Sequence, residues 1–380
     1  MRRCFNGHGT EILSETGNCG YHESSSFLKD KYRIRQWVLF MRTVKHASLF
    51  LCGDAILHES VYMDAKKPDG SFDFDRQLHY VRNLIQSYDL KYYNQETILG
   101  GRELGLSGYP AFNSPAEFGE YMIETGFNLI STATNHCLDM GTPGIRNAVS
   151  LFQRYPQVVM GGICAEPEER KRIPSITVNG IRIAFLSWCE QLNGNVPEEP
   201  WMVNLFTGHE EEMLEQIRQA KAENDAVILA IHWGEEYAAT PNETQRSLAK
   251  ACAEAGADLI IGNHVHVIQP FERIGTTPVF YAMGNLISSQ LNQENLIGMI
   301  AGLDLELEEA DGNKKLRIGN IRAEFVYTVM KGTYPDLRTD IEVIPFPLLN
   351  DSILPDYRKI HSAYAAHVRS MDDSITIGGV

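Results

Sequence analysis

The stretch Ala257-Asp258-Leu259-Ile260-Ile261-Gly262-Asn263-His264-Val265-His266 combines a strand, a turn and two potential ligands. Leu259 to Ile261 read as a buried strand bounded by Asp258 and Gly262. Gly262 lets the backbone turn close to whatever lies beside it, and two imidazoles follow in the loop. Imidazole is a common metal ligand. A lone His-x-His is weak, because a single buried histidine is more often just hydrogen-bonded. Its weight depends on how the other strands end.

Working outward, short apolar runs alternate with amphipathic stretches from residue 46 onward. The segments 48–52, 127–133, 158–160, 181–187, 226–231, 259–261 and 279–282 are rich in Val, Ile, Leu and Phe, bounded by Gly, Asn or Asp, and predict strands. Helical patterns occupy 76–88, 115–125, 145–155, 210–222 and 243–255. The second carries its own punctuation, with Ser114 as N-cap, Pro115 first, Glu117 three after the cap and Gly126 past the end. The alternation predicts an α/β layered fold. Later, 297–307 and 321–329 alternate like half-exposed antiparallel strands around the turn Ala310-Asp311-Gly312-Asn313, and 355–371 reads as a closing helix.

The expected organisation is a disordered extension over 1–45, one domain over 46–350 and a helical tail over 351–380. Within the extension Met41 is an alternative start. No repeat or Pro/Gly-rich linker divides the middle. A 43% hydrophobic content over 380 residues supports a large core. Lys plus Arg total 34 against 49 Asp plus Glu, a formal charge of -15, which repels nucleic acid and other polyanions at long range. An anionic substrate then needs a local positive centre, which bound divalent cations supply. Seven cysteines without a C-x-x-C pair read as reduced thiols in a cytoplasmic compartment. No window reaches the roughly 18 apolar residues of a membrane span.

Polar groups follow one strand after another. Gly53-Asp54 closes the first, with His58 beyond it, and 89–96 brings Asn94 and Glu96. Asn135, His136 and Asp139 follow the strand at 127–133, and His232-Trp233-Gly234-Glu235-Glu236-Tyr237 follows 226–231. His264 and His266 come last. In an α/β sheet the loops at the carboxyl ends of the strands form the ligand crevice, so these groups converge. Each has a bland reading: Asp54 as a helix cap, Asn135 as a turn residue, His136 with Asp139 as a surface pair, His232 as a core histidine. Five such coincidences at successive strand ends are harder to accept. Carboxylate, amide oxygen and imidazole are donors that Mn²⁺, Fe and Zn²⁺ take, and the absence of cysteine pairs argues against a thiolate site.

Taken together, Gly53-Asp54, Asn94-x-Glu96, Asn135-His136-x-x-Asp139-x-Gly141, His232-Trp233-Gly234-x-Glu236-Tyr237, Gly262-x-His264-x-His266-Val267-x-Gln269 and Tyr281-x-x-Gly284-Asn285 resemble the CapA family of poly-γ-glutamate capsule biosynthesis proteins, within the calcineurin-like metallophosphoesterase superfamily. The resemblance covers about residues 48 to 290. It implies a four-layer αββα sandwich of two mixed β-sheets, with a centre for two divalent metal ions at the strand ends. It further implies that Glu96 bridges the ions, that Asp54 and His266 serve the first, and that Asn135, His232 and His264 serve the second. His136 would be catalytic, protonating a leaving oxygen or stabilising the charge there, with Asp139 a candidate to hold its tautomer.

Two departures from the superfamily pattern stand out. Asp54-Ala55-Ile56 replaces Asp-x-His, leaving His58 as the nearby imidazole, and Glu96 stands where an Asp after glycine is usual. The expected function is hydrolysis of a poly-γ-glutamate-like anionic polymer or a related small amide or phosphate substrate. A general phosphoesterase and a non-catalytic, metal-stabilised capsule-assembly factor are the competing readings. Asn285 is a turn residue or reaches the crevice, Trp233 and Tyr237 wall a pocket or pack the core, and Arg102 and Arg146 are candidate anion contacts.

Overall fold

In chain order the strands are β1 (Thr43–Ala55), β2 (Leu90–Gln95), β3 (Leu129–Ser131), β4 (Val159–Gly161), β5 (Ser175–Val178), β6 (Ile181–Cys189), β7 (Ala226–His232), β8 (Leu259–Asn263), β9 (Phe271–Ile274), β10 (Thr277–Phe280), β11 (Asn285–Ile287), β12 (Ile297–Ala310), β13 (Asn313–Lys331), β14 (Thr339–Pro345) and β15 (Thr376–Ile377). This computed structural model describes residues 42–380 and, as backbone, a ladder pairing Cys4–Phe5 with Glu11–Ile12. The expected disorder of the extension and the start at Met41 otherwise lie outside the described residues. Thr43 to Lys45 pair with β12.

The strands form two mixed sheets. One runs β14-β13-β12-β1-β2-β3-β4, with β11 beside β1 and β15 beside β13; the other runs β9-β10-β8-β7-β6-β5. Alternation of side chains along each strand explains the layering. Leu49 and Leu51 of β1 face the second sheet and join Tyr92, Phe185, Ile228 and Ile261 between the sheets. Phe50 and Cys52 face outward, where the helices Asp75–Leu84, Ala116–Thr125 and Gly141–Gln153 cover them with Leu78, Phe118 and Phe152. On the far side, Val227 and Leu229 meet Met213 and Ile217 of the helix Glu210–Glu223 and Ala249 of the helix Glu243–Ala255. The result is a four-layer αββα sandwich. Both faces of the central strands are buried, which is why they read as unbroken apolar runs.

Several expected bounds shift for local reasons. The helix at 115–125 begins at Ala116 with Pro115 as its N-cap, because the Ser114 hydroxyl instead bonds Thr97 at 2.7 Å. Gly126, in the left-handed region at φ 112°, ends it as expected. The helix expected over 76–88 stops at Leu84 and tightens into the 3₁₀ turn Ile85–Ser87, and the closing helix shortens to Tyr357–Val368. The antiparallel pair near the end is longer than expected and belongs to the first sheet, beside β1. Its turn residues Asp311 and Gly312 both have positive φ, 54° and 78°, as a two-residue type I′ hairpin requires. Beyond it, Val368 and Ile375 are buried in the inter-sheet core. Five cysteines, Cys52, Cys137, Cys164, Cys189 and Cys252, are buried free thiols. No helix among the described residues is long and apolar enough to cross a membrane.

Gly262 on β8 is sterically compelled. A Cβ there would lie 2.6 Å from Trp233 Nε1 and closer still to the Tyr281 carbonyl oxygen. Gly262→Ala is therefore expected to cost about 1–3 kcal/mol by overpacking. Gly319 on β13 has open space, so Gly319→Ala is the control expected to stay within about 0.5 kcal/mol. Denaturant midpoints of the two variants check this. Equal midpoints would contradict it.

Candidate metal centre

Asp54 sits at the carboxyl end of β1, fixed by its own N–H donating to Gly284 O at 3.0 Å. Its carboxylate accepts from Asn94 Nδ2 at 2.8 Å and from the His264 N–H at 3.0 Å. Burial outweighs these bonds and pushes its pKa up to about 7. Glu96, just past β2, is fully buried, and neither carboxylate oxygen has a hydrogen-bond partner among the described residues. Burial first, and then the charge of Asp54, raise its pKa well above the carboxylate range. His266 Nε2 lies 3.5 Å from Glu96 Oε1 and His266 Nδ1 3.7 Å from Asp54 Oδ2. One atom from each of the three lies within 4.8 Å of the others. Two buried carboxylates without a cation are costly, whereas a divalent ion satisfies the lone pairs that no N–H reaches. The residues fit a metal.

A second set of donors adjoins the first. His232 Nε2 is 2.9 Å from Asn135 Oδ1 and 3.1 Å from His264 Nδ1. Asn94 links the two sets, 2.8 Å from Asp54 and 3.4 Å from His232 Nδ1. Burial, with the neighbouring imidazoles, holds His232 well below its ordinary pKa, His264 at about 4 and His266 at about 3. All three are neutral near pH 7 and offer lone pairs. Nδ1 of His266, donating to Asn285 Oδ1 at 3.0 Å, leaves Nε2 facing Glu96. His264 and His266 have positive φ, 97° and 62°, as does Tyr237 at 68°. Such backbone costs on the order of 1–3 kcal/mol per residue and clusters at functional sites.

His136 borders this group. Its Nδ1 lies 2.7 Å from Asp139 Oδ2, the oxygen that also accepts the Phe112 N–H at 2.7 Å. The ring packs edge-on against Phe112, and Asn193 Nδ2 stands 3.4 Å from it. Asp139 thus fixes both the ring and the loop that walls it.

The fold gathers Asp54, Glu96, Asn135, His136, Asp139, His232, His264 and His266 in one crevice. His58 does not join the ligand group. Its Nδ1 meets the Ser289 N–H at 3.4 Å and its ring lies against Phe112. Arg102 pairs with Glu117 and lies over Phe72, and Arg146 is exposed on the helix Gly141–Gln153. Trp233 is core, stacked on Tyr281 and donating to its carbonyl at 2.9 Å. Tyr237 is half exposed beside His266, and Asn285 reaches the crevice. Asn94 and Asn193 had no assigned role. Asn94 was legible as the residue two before Glu96, on the same face; Asn193 required reading the loop after β6 as another strand end.

His58 gives a separable pH effect. Burial lowers its pKa to about 4, with the nearby Arg338 charge adding to this. The unfolded chain takes up the proton near pH 6.5 and the folded one does not, so stability present above that pH is lost as pH falls toward 4. His58→Gln should therefore lose less stability than wild type between pH 7 and 5, by up to about 2 kcal/mol. Denaturant melts at the two pH values measure it. Parallel losses in both proteins would refute the buried-neutral assignment.

Two mixed sheets lie face to face, with carboxylates and imidazoles gathered at the carboxyl ends of their strands. The chain belongs to the bacterial capsule synthesis protein family PGA_cap, whose profile matches residues 48–290. It is 31% identical over 167 residues to the PGA biosynthesis protein CapA of Bacillus subtilis (strain 168), 44% of each chain. It is 32% identical over 174 residues to the capsule biosynthesis protein CapA of Bacillus anthracis, 44% of this chain and 41% of that one. The chain thus spans under half the length of these curated relatives. A similar solved structure is the 5'-nucleotidase precursor from Thermus thermophilus, with 14% identity and a TM-score of 0.38 over 72% of this chain and 54% of that one.

Proposed function

We propose that this protein is a metal-dependent hydrolase of the capsule type, acting on a poly-γ-glutamate-like polymer or a related amide or phosphate substrate. The observation that carries the reading is Glu96, a buried carboxylate without a hydrogen-bond donor, set against Asp54 and His266. Asp54, Glu96 and His266 would hold one divalent ion, and Asn135, His232 and His264 a second, with Glu96 between them. The oxygen and nitrogen donors suit Mn²⁺, Fe or Zn²⁺. Ions held there supply Lewis-acid charge for activating water and for offsetting charge on the reacting centre. Asn94 orients Asp54, and Asn285 fixes the His266 tautomer. His136, its Nδ1 held by Asp139, is the group available to hand a proton from Nε2 to a leaving oxygen or nitrogen. The overall charge of -15 makes contact with an anionic polymer local to this crevice.

The test is a screen of metal-loaded full-length protein against γ-glutamyl amides and phosphoesters. Turnover of γ-glutamyl amides supports the capsule reading. Phosphoester turnover alone moves the protein to the general phosphoesterases. No turnover by fully metallated protein would overturn hydrolysis and leave a metal-stabilised assembly role.

A further inference from the structure

A cavity of about 410 Å³ opens beside the metal centre, between the closing helix Tyr357–Val368 and the loops that carry Tyr237 and Asn295. Tyr237 lines it and stands 6.0 Å, ring to ring, from His266. Val267 and Ile268, the residues directly after His266, line it as well. Asn295 on its wall donates to the His266 carbonyl at 3.3 Å and accepts from Asn285 at 2.8 Å, so the cavity is one residue away from the group that orients His266.

We propose that this cavity is a substrate subsite, taking an uncharged, largely apolar group attached to the reacting centre; this rests on the reading of the neighbouring residues as a catalytic metal centre. The volume lies within the range of small-molecule sites. The choice of an uncharged group follows from charge. Among the described lining residues there is no Lys or Arg; the exposed Glu294 contributes a carboxylate, and His367 contributes an imidazole whose Nε2 donates to the Ile268 carbonyl at 3.1 Å. Tyr364 registers that field, since burial and the Glu294 charge together push its pKa up to about 12. A second carboxylate lodged there would leave water beside the Glu294 carboxylate, with no Lys or Arg among the described lining residues to offset it. An aryl or alkyl group bearing an amide or hydroxyl finds apolar contact with Val267 and Ile268 and polar partners in the surrounding side chains. The substrate so described is amphipathic. Its anionic or polar reacting group would sit among Asp54, Glu96 and His266 and its neutral body beyond Tyr237, which places it among the related amide or phosphate substrates of the proposed function.

Benzamide and benzoate, nearly equal in shape and different in charge, test this by ligand-observed NMR on the full chain. Benzamide should bind at least about tenfold more tightly than benzoate, a gap of about 1.4 kcal/mol. Ala363→Trp, which adds bulk at an exposed lining position, should weaken benzamide at least about tenfold with metal content unchanged. Glu294→Gln should narrow the gap between the two probes, which keeps the test intact if the tryptophan variant misfolds. With metal loaded, phenylphosphonate should bind more tightly than methylphosphonate, and Ala363→Trp should erase the difference. Equal binding of benzamide and benzoate, benzamide binding untouched by Ala363→Trp, or equal binding of the two phosphonates would overturn the subsite. Benzamide discrimination without any phosphonate binding would fault the metal reading while supporting the cavity.

Discussion

Glu96→Gln is expected to raise the melting temperature of the metal-free protein while removing most of its metal binding and turnover. Both effects have one cause. The Glu96 carboxylate is fully buried without a hydrogen-bond donor, and its pKa stands well above the ordinary value. A carboxyl group whose pKa is raised by folding gives full stability below its unfolded pKa and loses it as pH climbs toward the folded one. Each unit of the shift is worth about 1.4 kcal/mol. Glutamine carries no such loss, so the advantage of the variant over metal-free wild type should grow from pH 5 to pH 8. A bound divalent cation inverts the ranking, because the orphaned oxygens then have a partner. Wild type should gain melting temperature on addition of Mn²⁺ or Zn²⁺, and Glu96→Gln far less. Turnover should fall by at least about 100-fold, a loss that removal of an outer partner of a metal ligand already approaches. Paired melts with chelator and with metal check the sign. A variant less stable than wild type in chelator, with an undiminished metal response, would make Glu96 an ordinary structural acid.

His136→Ala is expected to lower turnover by about 10²- to 10⁴-fold, the range for a positioned general acid, and to leave metal content unchanged. His136 stands outside the ligand group, held through Nδ1 by Asp139 at 2.7 Å. A group that protonates a departing atom matters most when that atom leaves poorly. The loss should therefore be larger for an alkyl ester than for a p-nitrophenyl ester, which needs little protonation. Asp139→Asn should reproduce part of the defect, because it disturbs the tautomer while still accepting the Phe112 N–H. Equal losses on both esters would remove the proton-donor role, and loss of metal with His136→Ala would make the residue structural.

Much of this architecture is legible in the sequence, for a physical reason. Strands buried on both faces are unbroken apolar runs, so β1, β6, β7 and β8 stand out wherever they lie. β2 does not. In Leu90-Lys91-Tyr92-Tyr93-Asn94-Gln95 only one residue is aliphatic, and its burial comes from Tyr92 between the sheets and Tyr93 beneath the helices. The edge strands β5 and β9 are short and half buried, which leaves little pattern to read. Convergence of Asp54, Glu96, Asn135, His232, His264 and His266 follows from topology, because every parallel strand delivers its carboxyl end to one rim. What sequence could not supply is loop conformation. Whether His58 turns toward Asp54 or toward Ser289, and whether Asn285 sits in a turn or meets His266, depends on backbone angles after the strand has ended. The positive φ of His264 and His266 belongs to the same class, since no residue type announces it there.

The most direct test of the metal centre is elemental analysis of protein purified without chelators and then supplied with Mn²⁺ or Zn²⁺. The two donor sets predict two transition-metal ions per chain, with His232→Ala retaining one and Glu96→Ala retaining less than either. Fewer than one bound ion per wild-type chain would contradict the centre built on Asp54, Glu96 and His266.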